Sequence, residues 1–276
     1  MIFIALILVT LPLDTDCSTA TWEQVRQTSV QIEMIDAELN ENTQYLEDSR
    51  SADMQTFIKS CLTTAWQNNK LAPSSAKETH LALNTLSKIF FYSGNKDVLK
   101  FYAELASQVS KANPNYHSYI ESLQKKYAAN FAFEDYAALT LEEGLKEIIS
   151  VKSVNGSSLT NNALAELINA DSILVKDIDI NEGSKIIVVG SPFCAFSNSL
   201  ITWLKKSSKL NNSVYANNFI WVIKQNSSPL YEDILSYNQE SSFVNYQLVY
   251  NRSEWDLFSL WDTPTIYFYK NGKLKH

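Results

Sequence analysis

The spacing of apolar residues changes character near Ser150, and no other feature of the chain constrains its fold as strongly. Before that point apolar residues recur at three- and four-residue intervals, as in Leu81, Leu83, Leu86, Ile89 and Phe90, then Val98, Leu99, Tyr102, Leu105 and Val109. That spacing builds one apolar face on each of several helices. Tyr92-Ser93-Gly94-Asn95 supplies a stop, because glycine takes a left-handed C-terminal cap without strain, and Asn113-Pro114-Asn115 ends the next helix. Residues 21–150 therefore read as an all-helical domain, a plain bundle. Beyond it, Asn155-Gly156-Ser157-Ser158 reads as a linker. β-Branched runs follow at Ile173–Ile180, Lys185–Val189, Asn218–Ile223, Tyr246–Tyr250 and Thr265–Tyr269. Helical patterns at Asn198–Lys209 and Leu230–Asn238 separate several of them, which predicts crossover connections and parallel strand pairs. The last run continues through Asn271-Gly272, a hairpin turn signal.

At 276 residues, 45% hydrophobic and 19% charged, the chain is long and apolar enough for two cores. Its formal net charge of -7 leaves no basic stripe for a polyanion. The pairs Lys125-Lys126 and Lys205-Lys206 read as solvated helix faces, so nucleic acid is excluded as a partner. Ile2 to Leu13 is an apolar run of signal-peptide length, too short to span a bilayer comfortably, with small residues at Ser18 and Ala20 before a cleavage point at Thr21. Residues 1–20 are expected to be a signal peptide, although without Lys or Arg at the start. The protein is expected to be exported, to a periplasm or through a secretory pathway, with no membrane span in the mature chain. His80, His117 and His276 belong to no ligand motif, so neither a metal nor a cofactor is expected.

The cysteines are Cys17, Cys61 and Cys194, and loss of the leader would leave two. Two distant thiols imply either one reactive and one packed residue or a single interdomain bridge. Cys61 shares an apolar helical stripe with Phe57, Ile58, Leu62 and Trp66, which favours packing. Cys194 is different. The strand KIIVV runs into Gly190-Ser191-Pro192-Phe193-Cys194-Ala195-Phe196-Ser197 and then into a helix. Unpaired N–H groups and the positive end of the helix dipole at such a junction favour thiolate over thiol. Ser197 is placed to hydrogen-bond that thiolate.

This order of strand, aromatic residue, C-x-x-S and helix, followed by Thr263-Pro264-Thr265 and the strand IYFY, resembles the thioredoxin superfamily over residues 159–276. The resemblance says nothing of the N-terminal all-helical domain; for the domain that follows it implies a thioredoxin-like fold, a central mixed sheet flanked by helices. It also implies a cis proline at Pro264 opposite Cys194. Thr263 and Pro264, with Phe193, Ala195 and Phe196 from the turn, would dock an extended client. The expected activity is that of a thiol–disulfide oxidoreductase or isomerase-like protein with one active cysteine. Cys194 would form mixed disulfides with client thiols or disulfides, and Ser197 would tune it. Because serine stands where the family has a resolving cysteine, release requires an external thiol or reductant. The C-x-F-S form also resembles thiol-retention chaperones of the secretory pathway. Two other readings stay open: a redox-inactive protein-interaction module on the same fold, and a monothiol glutaredoxin-like iron–sulfur protein, to whose C-G-F-S motif C-A-F-S is similar.

Overall fold

The structure, a computed structural model, describes residues 21–39, 55–149, 153–156, 162–207, 219–224, 230–241, 243–251, 255, 258 and 263–275. The expected leader at 1–20, with Cys17, lies outside the described residues, as do Ser157 and Ser158 of the expected linker. Two compact units make up the chain, one running to Tyr102 and the other from Ala103 to the end.

The first unit is helical. Helix α1 spans Trp22–Leu39, a π-helical turn at Ile58–Leu62 leads into α2 (Thr63–Gln67), α3 (Ala76–Ser93) follows, and α4 (Lys96–Ala112) runs across the division at Tyr102. Trp22 is buried, donates its indole N–H to the Leu71 carbonyl at 2.7 Å, and meets the edge of Trp66, which stacks on Phe101. Helix α3 stops where glycine permits it: Gly94 has φ 62° and its N–H reaches the Phe90 carbonyl at 2.8 Å. Cys61 is buried with Phe57, Ile58 and Leu62, as the apolar stripe implies, but it is also disulfide-bonded. Cys194 is free, so no bridge joins these two cysteines.

The second unit carries α5 (His117–Ala129), α6 (Phe133–Glu142) and an eight-stranded sheet. Its strands are β1 (Ser153–Asn155), β2 (Ala163–Asn169), β3 (Ser172–Asp177), β4 (Ser184–Val189), β5 (Phe219–Ile223), β6 (Tyr246–Val249), β7 (Thr265–Lys270) and β8 (Lys273–Lys275). They lie in the order β1-β3-β2-β6-β5-β4-β7-β8. Strands β4, β5 and β6 run parallel, joined by crossovers containing α7 (Ala195–Lys206) and α8 (Tyr231–Glu240), whereas β7 is antiparallel to β4. Alternation along β4 sends Val188 to one face and Ile187 and Val189 to the other. On the first face Val188 joins Trp221, Ile223, Tyr246 and Leu248 beneath Ile201 and Leu204 of α7 and Ile234 of α8. On the second, Ile187 and Val189 join Val222, Val249, Tyr267 and Tyr269.

Three details depart from the sequence expectations. Strand β2 was not expected. Asn155 lies in β1 and is paired with Leu174 where a linker was read. Lys126 is only 2% exposed and donates from Nζ to Ser122 Oγ at 2.7 Å, so it is no solvated face. Burial, with the neighbouring Lys125 charge, lowers its pKa to about 8.

Candidate functional site

Helix α7 begins one residue after Cys194, three residues earlier than its apolar pattern suggests. Cys194 is the N-cap, with extended backbone (φ -94°, ψ 121°), and its carbonyl receives the Asn198 N–H at 3.0 Å. The preceding turn is stitched locally. Gly190 N–H reaches the Val222 carbonyl at 2.9 Å, Cys194 N–H the Ser191 carbonyl at 3.1 Å, and Phe193 N–H the Ser191 hydroxyl at 3.2 Å. Asn198 Nδ2 donates to the Pro192 carbonyl at 2.9 Å. Lys205 and Lys206 occupy the last turn, where positive charge complements the dipole that the N-terminus turns toward Cys194.

Two chain segments meet at the sulfur. Cys194 Sγ lies 3.5 Å from the carbonyl of Thr263, and the Thr263-Pro264 peptide is cis. A carbonyl acceptor favours the thiol, but the groups that favour the thiolate prevail, and Cys194 is lowered to about 7. The leading cause is hydrogen bonding from the Thr263 side chain; the backbone N–H and hydroxyl of Ser197 and the backbone N–H of Phe196 add to it, against a burial effect of opposite sign.

The sequence-selected residues divide by exposure. Phe193 and Phe196 flank the cysteine and are 57% and 73% exposed, Ala195 is exposed, and Thr263 and Pro264 are half-buried. Ser197 instead lies fully buried, with its Oγ accepting the Ser191 N–H at 3.2 Å. The sequence reading missed Tyr246, which is buried beneath the turn. It reaches the turn through the register of β6 on β5, and spacing carries no sign of that. Gly190 was the available signal: a Cβ there would sit 3.2 Å from the Tyr246 hydroxyl and 3.5 Å from Ser197 Oγ. Among the described residues no group of three His, Cys, Asp or Glu could hold a metal ion, and no helix is long and apolar enough to cross a membrane.

No protein-family model matches the chain, and no curated protein matches it. Among solved structures it is similar to a thioredoxin-like protein from Bacteroides caccae, with 15% identity and a TM-score of 0.30 over 81% of this chain and 78% of that one. A likeness so slight carries no argument by itself. The mixed sheet with helices flanking its parallel strands fits a thioredoxin-like fold.

Proposed function

We propose that the protein is exported and takes part in thiol–disulfide exchange as a monothiol, through Cys194. The observation that carries this reading is the half-buried free thiol at the N-cap of α7, titrating near 7 beside Thr263. A thiolate populated at neutral pH attacks one sulfur of a client disulfide. A new S–S bond joins Cys194 to the client as the old one breaks, and the second client sulfur leaves as a thiolate. Ser197 cannot attack the mixed disulfide in turn, so an external thiol must release the client. Exposed Phe193 and Phe196 supply apolar contact for the client chain, and Thr263 and Pro264 form the opposite wall of the docking site. The apolar N-terminal run supports export to an oxidising compartment.

The test is the pH dependence of Cys194 alkylation in the folded, disulfide-intact protein. A rate that falls as pH drops through about 7 supports the monothiol, because the depressed pKa keeps the thiolate until that range. A midpoint at or above the roughly 8.5 of an ordinary cysteine refutes it. The exposed aromatic pair favours a second reading, a redox-silent binding module. That reading predicts that Cys194→Ser captures partners as well as the native chain does.

A further inference from the structure

The sheet of the second unit is covered unevenly on the face that carries α7 and α8. The crossovers from β4 to β5 and from β5 to β6 advance in one direction across the sheet, so both helices lie on that face, with α8 on the β6 side of α7. The Tyr237 hydroxyl of α8 accordingly reaches Asn198 Oδ1 of α7 at 3.5 Å. With about 100° of turn per residue, Leu200 stands on the far side of α7 from Asn198, and Phe196 and Trp203 stand beside it. That flank faces β7, which lies next to β4.

Register identifies the floor below the flank. Phe268 pairs with Ile186 and Ile266 with Val188, so these four share the helix-bearing face, whereas Tyr267 and Tyr269 turn to the other. Val188 is buried, but Ile266 is exposed and Phe268 is 49% exposed. On the helix flank Leu200 is half-buried and Trp203 is 62% exposed. A single exposed apolar residue needs no explanation. An apolar helix flank set over an apolar sheet margin is a groove, and a groove with a polar rim marks an interaction site.

Charge selects the occupant. The cysteine turn places the start of α7 at the Thr263 end of β7, and the helix runs back from there toward the Lys270 end. At that end Lys206 closes α7, while Lys270 and its β8 partner Lys273 continue the apolar face of the sheet, all three exposed. We propose that this groove docks an amphipathic helix of a partner protein, apolar on the face it buries and carrying Asp or Glu at the end away from Cys194. Helix α7 has 12 residues, so a partner helix of about three turns would lie along it. The inference does not depend on the reactivity of Cys194.

The probe is a fluorescein-labelled synthetic peptide of about three helical turns, with leucine along one face and glutamate at one end. A control peptide has lysine for each glutamate, and anisotropy is followed as the full-length native protein is added. The glutamate peptide should bind saturably, and less tightly as salt is raised. Trp203→Ser and Phe268→Ser should each weaken it about tenfold, while a thermal melt of each variant reports folding separately. Lys270→Glu with Lys273→Glu should transfer the preference to the lysine peptide, an outcome that misfolding cannot imitate. Absence of binding by the glutamate peptide, equal binding of the two peptides, or an unchanged affinity in Phe268→Ser overturns the proposal. A native dimer in light scattering that Trp203→Ser converts to monomer overturns it too, because a second copy of this chain would then fill the groove.

Discussion

At Gly190 the space for a side chain is already taken. The strand-to-turn junction passes so close to β6 that a Cβ would stand 3.2 Å from the Tyr246 hydroxyl and 3.3 Å from a carbon of its ring. Tyr246 is enclosed by Trp221 and Tyr237 and has little room to withdraw. Gly190→Ala should cost about 1–3 kcal/mol, as overpacking of a filled core does. Urea unfolding checks it. Native stability in this variant would show that the core yields there. The site was only partly legible in the sequence for the same reason. Cys194, Ser197, Thr263 and Pro264 sit in short motifs whose chemistry can be read locally. The glycine and the tyrosine beneath them acquire meaning only when β6 is laid against β5 in register.

Among the elements, β4, β5, β6 and β7 lie within a residue of the runs read from the sequence, whereas β2 was not read at all. Helix α3 has a complete polar start: Ser75, the N-cap, accepts the Glu78 N–H at 3.2 Å, while Glu78 accepts from the Ser74 N–H at 2.8 Å and the Ser74 hydroxyl at 2.7 Å. Ser75→Ala should cost about 1 kcal/mol. The hydrogen bond from the Ser74 side chain, with that from its backbone, holds the Glu78 carboxyl below its usual range. A depressed carboxylate contributes stability above its unfolded pKa and loses it as pH falls through the folded value. The loss caused by Glu78→Gln should therefore be present at neutral pH and fade in acid, and denaturant midpoints at the two pH values measure it. A loss independent of pH would mean that the carboxylate charge plays no part. Strand β2 illustrates the opposite limit. Ala163, Leu164, Ala165, Glu166 and Leu167 are all good helix formers, so local propensity opposes the strand. The run is extended because it is flanked on both sides, by β3 from Ala163 to Asn169 and by β6 at Leu164 and Ala165. Such partners override propensity and are invisible in a local window.

For the whole molecule, the chemistry of the sheet-bearing unit depends on how its helices close over β5 and β6. Helical spacing continues unbroken to Glu142, so apolar periodicity could not separate α5 and α6 from the helices before them. Aromatic packing does: Phe131 lies against Phe133, Tyr231 and Tyr250, and all of these border the core that holds Trp221 and Tyr246. One hydrogen bond fixes that closure. Tyr231 is buried at the start of α8, and its hydroxyl donates to the Ala128 carbonyl in the last turn of α5. Burial pushes its pKa far above the ordinary range, so the bond is independent of pH near neutrality. Tyr231→Phe keeps the ring, and the Ala128 carbonyl keeps the Phe131 N–H at 3.3 Å, so the loss should be that of one hydrogen bond, about 0.5–1.5 kcal/mol. Because the bond joins α5 to the layer above β5 and β6, hydrogen exchange should show amides of residues 117–129 and 219–223 losing protection together. Cys194 takes no part in this contact and should keep its alkylation midpoint. Loss of protection confined to α5 would mean that this helix opens separately from the sheet, and the aromatic cluster alone would then have to account for its docking.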